Sequence, residues 1–167
     1  NRIIIATKMV CYIYCKINDR ELMVNEDDPE DIKLYSTRWN RWRKSIIHTY
    51  PNNYKHIVVG KKKILLHRLN YYAHNQDWEI FDSSKNNQID HIDRNPSNNN
   101  ISNLRVVTNQ QNNFNVKCKG YSWCKIMEKW RARIKIDRKE ILLGYFDTEE
   151  EARNKYLEAK KIYHNII

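Results

Sequence analysis

Hydrophobic side chains along the chain fall in short runs divided by polar punctuation, a pattern of small strands with a few amphipathic helices. The first run, "IIIATKMVCYIYC", is rich in β-branched residues and reads as strand. Lys8 interrupts it, no small-residue cleavage site follows, and it is too short to span a bilayer. Strands are therefore expected from residue 1 to about 35, ending in the acidic loop "NEDDPED", where Pro29 and the carboxylates oppose regular structure. "STRWNRWRKS" interleaves Arg38, Arg41, Arg43 and Lys44 with Trp39 and Trp42. It suits either a phosphate-contacting surface with stacking rings or a solvated helix burying two tryptophans.

Farther on, "HIVVG" and "ILLH" flank a Gly60-Lys-Lys-Lys turn and predict a hairpin. Leu69, Tyr72 and Ala73 then have helical spacing, with His67 and His74 read as core or supporting residues. "NQIDHID" is expected to be a strand ending at Asn95-Pro96, and "NLRVV" a second strand. Thr108 with Gln111 has the form of a capping box that starts a helix. The last segment predicts three strands and a helix. In "WRARIKI", Ala132, Ile134 and Ile136 alternate with Arg131, Arg133 and Lys135, giving one apolar and one cationic face. Thr148 should cap the helix, Glu149 to Glu151 should favour its positive end, and Ala152, Tyr156 and Ala159 form its inward stripe.

Composition turns this pattern into units. The chain has 167 residues, 41% of them hydrophobic and only 3 of them glycine, so small units are expected rather than one large core. The expected divisions are residues 1–50, 51–115 and 116–167. A net charge of +10 points to a polyanion, with solubility alone as the bland alternative. Location favours the polyanion, because cations crowd Lys117 to Lys139 while Ile89 to Asn112 is neutral. Cys11, Cys15, Cys118 and Cys124 lack CxxC spacing, so reduced thiols are expected and a structural zinc is not. An intracellular, non-secreted protein is expected, and a chain beginning at Asn1 is read as an incomplete or processed product.

The neutral segment carries the chemistry: "IDHIDRNPSNNNISNLRVVTNQQN". Phosphodiester hydrolysis needs a base for water and a hard cation for the phosphate charge. His91 has the intrinsic pKa for the first task. Asp90 and Asn112 offer oxygen ligands suited to Mg²⁺ or Mn²⁺, and Asn103 can hold the imidazole through its amide oxygen. A merely structural polar turn remains the alternative.

These residues resemble the HNH endonucleases, in particular the homing-endonuclease branch of phage and large-virus genomes, in which asparagine stands last in the motif. The resemblance spans roughly Tyr54 to Asn113. It implies metal ligands Asp90 and Asn112, general base His91, orienting Asn103, and Asn95, Asn99 and Asn100 shaping the loop. It further implies 5′-phosphate and 3′-hydroxyl products. The C-terminal segment is similar to the plant ethylene-response-factor DNA-binding domain, which implies that Arg131, Arg133 and Lys135 face the groove with Trp123 and Lys125 as neighbours. Leu142 and Glu140 depart from that domain's tryptophan and arginine, so no sequence preference carries over.

The expected fold class is α+β, a small ββα-metal nuclease core followed by a three-stranded antiparallel sheet plus helix. The expected function is Mg²⁺-dependent cleavage of double-stranded DNA by a monomer or dimer, without a membrane or a small-molecule substrate. A non-catalytic DNA-binding regulator is the rival, and RNA is a third possible substrate.

Overall fold

The computed structural model describes residues 2–6, 9–115, 119–136 and 139–164. Cys118, Lys117 and Asp137 therefore lie outside the described residues. The fold is α+β, with several antiparallel sheets and few helices, and the chain divides into two compact units, Asn1–Val106 and Val107–Ile167.

The first unit opens with a five-stranded sheet in sequential order: β1 (Arg2–Ala6), β2 (Met9–Ile17), β3 (Arg20–Asn25), β4 (Ile32–Ser36) and β5 (Arg41–Lys44). All its neighbours are antiparallel. The β2–β3 turn puts Asn18 and Asp19 at positive φ, a conformation these residues tolerate because their short polar side chains bond locally. "STRWNRWRKS" thus forms a hairpin rather than a helix. Tyr35 pairs with Trp42 across it, and the Trp42 ring meets Tyr35 and Tyr14 edge-on at 5.3 and 6.4 Å. The acidic loop is pinned rather than loose: Tyr12 donates to Asp31, Lys55 pairs with Glu30, and the Pro29 carbonyl accepts from Asn70.

A second sheet of β6 (His48–Thr49), β7 (Lys55–Val59) and β8 (Lys62–Leu65) follows, with Gly60 at φ +63° in its tight turn. The chain then passes directly into α1 (Leu66–His74). Leu66, Leu69 and Ala73 face inward at helical spacing. They complete one core that also contains Ile13, Ile17, Leu22, Val24, Ile32, Ile57, Val59 and Ile80. The division expected at residue 50 falls within this shared core, and the one expected at 115 falls inside the second unit. Arg68 donates to the carbonyls of Ile80, Asp82 and Asn87, which ties the segment after α1 to the helix in addition to the burial of Ile80. That brings the chain to β9 (Gln88–His91), which pairs with β10 (Leu104–Val107).

The second unit holds α2 (Asn109–Phe114), the sheet β11 (Tyr121–Cys124), β12 (Lys129–Ile136) and β13 (Lys139–Phe146), and α3 (Glu149–Tyr163). Thr108 and Thr148 both close capping boxes, with Gln111 and Glu151, so two orphan amides at each helix start are satisfied. α3 buries Ala152, Tyr156 and Ala159 against Ile134 and Tyr121. Gly120 is required by close approach: a Cβ there would lie 2.0 Å from the Tyr156 ring. No helix among the described residues is long and apolar enough to cross a membrane.

Candidate active site

Asp90 and His91 end β9, and both are only 5% exposed. A carboxylate buried this far requires a cationic partner. Arg105 on β10 supplies one, donating through Nε (2.9 Å) and Nη2 (2.8 Å) to the same oxygen, Asp90 Oδ2. Nothing in the local sequence pattern singled out Arg105. Its signal is the strand pairing, since β9 and β10 are neighbours in a two-stranded sheet.

The asparagines divide into two tasks. Several close successive local turns: Asp93 Oδ1 accepts from Asn95 N, Asn95 Oδ1 from Ser97 N, and Asn98 Oδ1 from Asn100 N. Asn98 also donates to Asp93 Oδ2, which together with the Asn95 amide holds the Asp93 carboxyl below the usual carboxylate range. These bonds stabilise Arg94 at φ +64°. Asn95 and Asn100 remain at the surface as loop-shaping residues.

The second task is done by the two buried asparagines. Asn103 donates from Nδ2 to Asp93 Oδ1 and the Asn98 carbonyl, and its Oδ1 accepts from Asp93 N. Its carbonyl accepts from Ile92 N at 2.9 Å, immediately after His91. Asn103 thus grips the backbone that carries the histidine, whereas the expectation had its amide oxygen meet the ring. The amide oxygen that meets the ring is that of Asn99, which is 1% exposed, with its Oδ1 3.3 Å from His91 Nε2. Asn99 Nδ2 donates to the Ser97 carbonyl, which sets the amide so that its oxygen faces the imidazole. An amide oxygen facing Nε2 favours the tautomer with its proton on that nitrogen.

Two aromatic rings outside the Asp-His motif flank the imidazole, and one of them, His67, is the supporting residue expected on α1. His67 of α1 meets His91 edge-on at 5.1 Å, and Tyr54 meets both histidines at 5.8 and 5.4 Å. His67 is buried, and its Nδ1 has no hydrogen-bond partner. Burial first, then His91 and Arg68, push its pKa down to about 3, so it is neutral beside His91.

Asn112 lies on α2 in the second unit. Oxygen donors of the Asp90 and Asn112 type fit a hard divalent cation. Both Arg105 contacts fall on one oxygen of Asp90. No cluster of three His, Cys, Asp or Glu able to hold a metal occurs among the described residues. Cys11, Cys15 and Cys124 are free thiols, and burial pushes Cys15 up to about 12.

The segment that builds this geometry matches a known family. Residues 65–114 match the HNH endonucleases. The chain is also similar to Protein 3.8 of Escherichia phage T7, with 36% identity over 77 residues, which is 40% of this chain and 64% of that protein. The chain thus spans less than two thirds of that relative's length. No solved structure matches it. The HNH match begins at the end of β8 and closes with α2, so His67, Asp90, His91, Asn99, Asn103, Arg105 and Asn112 all fall inside it, and Tyr54 precedes it.

In the second unit, Arg131, Arg133 and Lys135 alternate with buried Ala132 and Ile134 and so face away from α3. Arg133 is shared with Glu140 through both carboxylate oxygens at 3.1 Å. Arg131 Nε is buried without a hydrogen-bond partner. Trp123 pairs in register with Trp130, whose ring lies 5.7 Å away and which also neighbours Tyr121. Opposed residues share a face, so Trp123 belongs to the apolar side and not beside the cations. Lys125 lies exposed in the β11–β12 turn.

Proposed function

We propose that the chain is a divalent-metal-dependent DNA endonuclease in which His91 is the general base. The observation that carries this reading is the buried imidazole at the end of β9, tautomer-set by Asn99, one residue from the Asp90–Arg105 pair and inside the HNH-matching segment. With Nε2 facing the Asn99 amide oxygen, the imidazole takes the proton of the attacking water, and the imidazolium that forms keeps its bond to that oxygen. Asn103 keeps the base in place by fixing the Ile92–Asp93 backbone. Asp90 and Asn112 would hold the cation, which when bound supplies charge neutralisation at the phosphate and the departing 3′ oxygen.

Target binding is assigned to the cationic strand face of the second unit, with Arg131, Arg133, Lys135 and Lys125 contacting phosphates and base edges. Support comes from the alternation on β12 and the unsatisfied Arg131 Nε. The likeness to the ethylene-response-factor domain belongs to the same reading. A regulator that binds DNA without cutting it would use this same face, so activity must be measured directly.

Supercoiled plasmid incubated with the intact chain and Mg²⁺ should relax or linearise. EDTA, Asp90→Ala and His91→Ala should each abolish conversion, with His91→Ala leaving DNA binding nearly intact. Conversion that persists in His91→Ala removes the assigned base. Metal-independent binding without any conversion supports the regulator.

A further inference from the structure

Beside His91 lies an open cleft of about 580 Å³, lined by Tyr50, Pro51, Asn52, Tyr54 and Leu65. Its size falls in the range of small-ligand sites, and the motif chemistry uses none of its walls. Tyr50 is held as a platform: its ring stacks on His56 at 4.3 Å and 17°, and His56 stacks on His48 at 5.2 Å. The cross-strand pairing of His48 with His56 fixes that pile. The other aromatic wall is Tyr54, the ring that touches both His67 and His91. Between them the turn is closed by Tyr50 N to Tyr54 O and Asn53 N to Tyr50 O, with Asn53 at φ +65°. Ser97 Oγ donates to the Asn53 carbonyl, joining this turn to the loop that follows His91. Lys63 Nζ stands 5.9 Å from the Tyr50 ring and puts a positive charge at the rim.

We propose that this cleft receives one nucleobase of the DNA strand, lifted out of its stack next to the scissile phosphate. The inference rests on the nuclease reading for its substrate class, and the chemistry of the walls supplies the rest. Two aromatic rings with an apolar floor at Leu65 accept a flat heterocycle of any sequence, because every base has a π-face. The amide of Asn52 at the rim can bond a base edge, and the Lys63 ammonium matches a flanking phosphate in charge. A base seated against Tyr54 places the adjoining backbone at the imidazole, so the cleft sets which phosphate His91 addresses.

The test uses the full chain in EDTA, so that cutting does not interfere. A thymidine oligonucleotide should bind roughly five- to hundred-fold more tightly than an abasic strand of equal length and charge, the range that stacking one base provides. Tyr50→Leu should reduce that ratio to about twofold or less while leaving the salt dependence of binding unchanged. Because a substitution here can disturb the second sheet, the unmodified protein supplies an independent measurement. A 5-iododeoxyuridine strand irradiated on the wild type should form an adduct mapping to Tyr50 or Tyr54. An unchanged ratio in folded Tyr50→Leu, or adducts found only elsewhere, overturns the proposal. A dimer dissolved by Tyr50→Leu, with no adduct, overturns it in favour of a second copy of the chain. An adduct at Tyr54 from a protein that never cuts plasmid removes the nuclease reading and leaves the base site standing.

Discussion

His67 offers a direct reading of how the histidine pair is built. Its folded pKa of about 3 lies far below the unfolded value near 6.5, because burial with an unpartnered Nδ1 opposes the charged form. The unfolded chain therefore binds the proton and the folded one does not. The resulting penalty is absent above pH 6.5, grows as pH falls through the window from 6.5 to 3, and levels off below that. At about 1.4 kcal/mol per pH unit, roughly 2 kcal/mol is lost by pH 5, and on the order of 4–5 kcal/mol by pH 3. Replacing His67 with Phe keeps a ring against His91 and Tyr54 but has nothing to protonate. Urea unfolding of both proteins at pH 7.5 and pH 5 should show a midpoint that falls by about 1 M more in the wild type, for an m-value near 2 kcal/mol/M. His56 and His164 are also held low by burial, so the difference between the proteins, and not the wild-type slope, is the quantity of interest. Parallel pH dependence in the two would refute the claim that His67 is neutral and unpartnered in the fold.

Other substitutions separate the parts of the site. Asn99→Leu removes the acceptor for His91 Nε2 and should lower plasmid cleavage roughly 10- to 100-fold, with DNA affinity unchanged; undiminished cleavage would dissociate tautomer control from catalysis. Asn103→Ala unpairs Asp93 and Asn98 as well as the backbone beside His91, so it should cost about 1–3 kcal/mol in thermal unfolding in addition to activity. In the second unit, Gly120→Ala drives a methyl into the Tyr156 ring and should destabilise that unit by about 1–3 kcal/mol, with Tyr156→Leu restoring part of the loss. Arg131→Ala and Lys135→Ala should each reduce the slope of log affinity against log salt by about 1, whereas Trp123→Ala, on the opposite face, should leave it unchanged.

Local signals in the sequence carried much of this structure. Capping boxes act within four residues, so Thr108 and Thr148 marked their helices correctly. Period-two alternation marked β12, and Gly60 marked the hairpin turn. What stayed hidden depends on pairing between distant segments. Arg105 reaches Asp90 only through the β9–β10 pairing, and Asn99 turns inward within an irregular loop where no period distinguishes it from Asn98 or Asn100. Trp39 and Trp42 stand three residues apart, a spacing that suits the solvated helix, and the turn at Asn40, with φ +48°, decides for the hairpin instead. Trp123 follows the register with Trp130, so its nearness to the cations in sequence does not persist in space.

The loop from Asp93 to Asn103 also sets how the site ages. Its order rests on amides that donate and accept at once, and an amide that hydrolyses to the acid keeps its shape while losing both donors. At Asn103 that change would set a carboxylate against Asp93 Oδ1 and the Asn98 carbonyl, three acceptors facing one another where donors had been. The loop is thus vulnerable to slow deamidation, and one lost nitrogen would undo the hold on the backbone beside His91 while the core stays untouched.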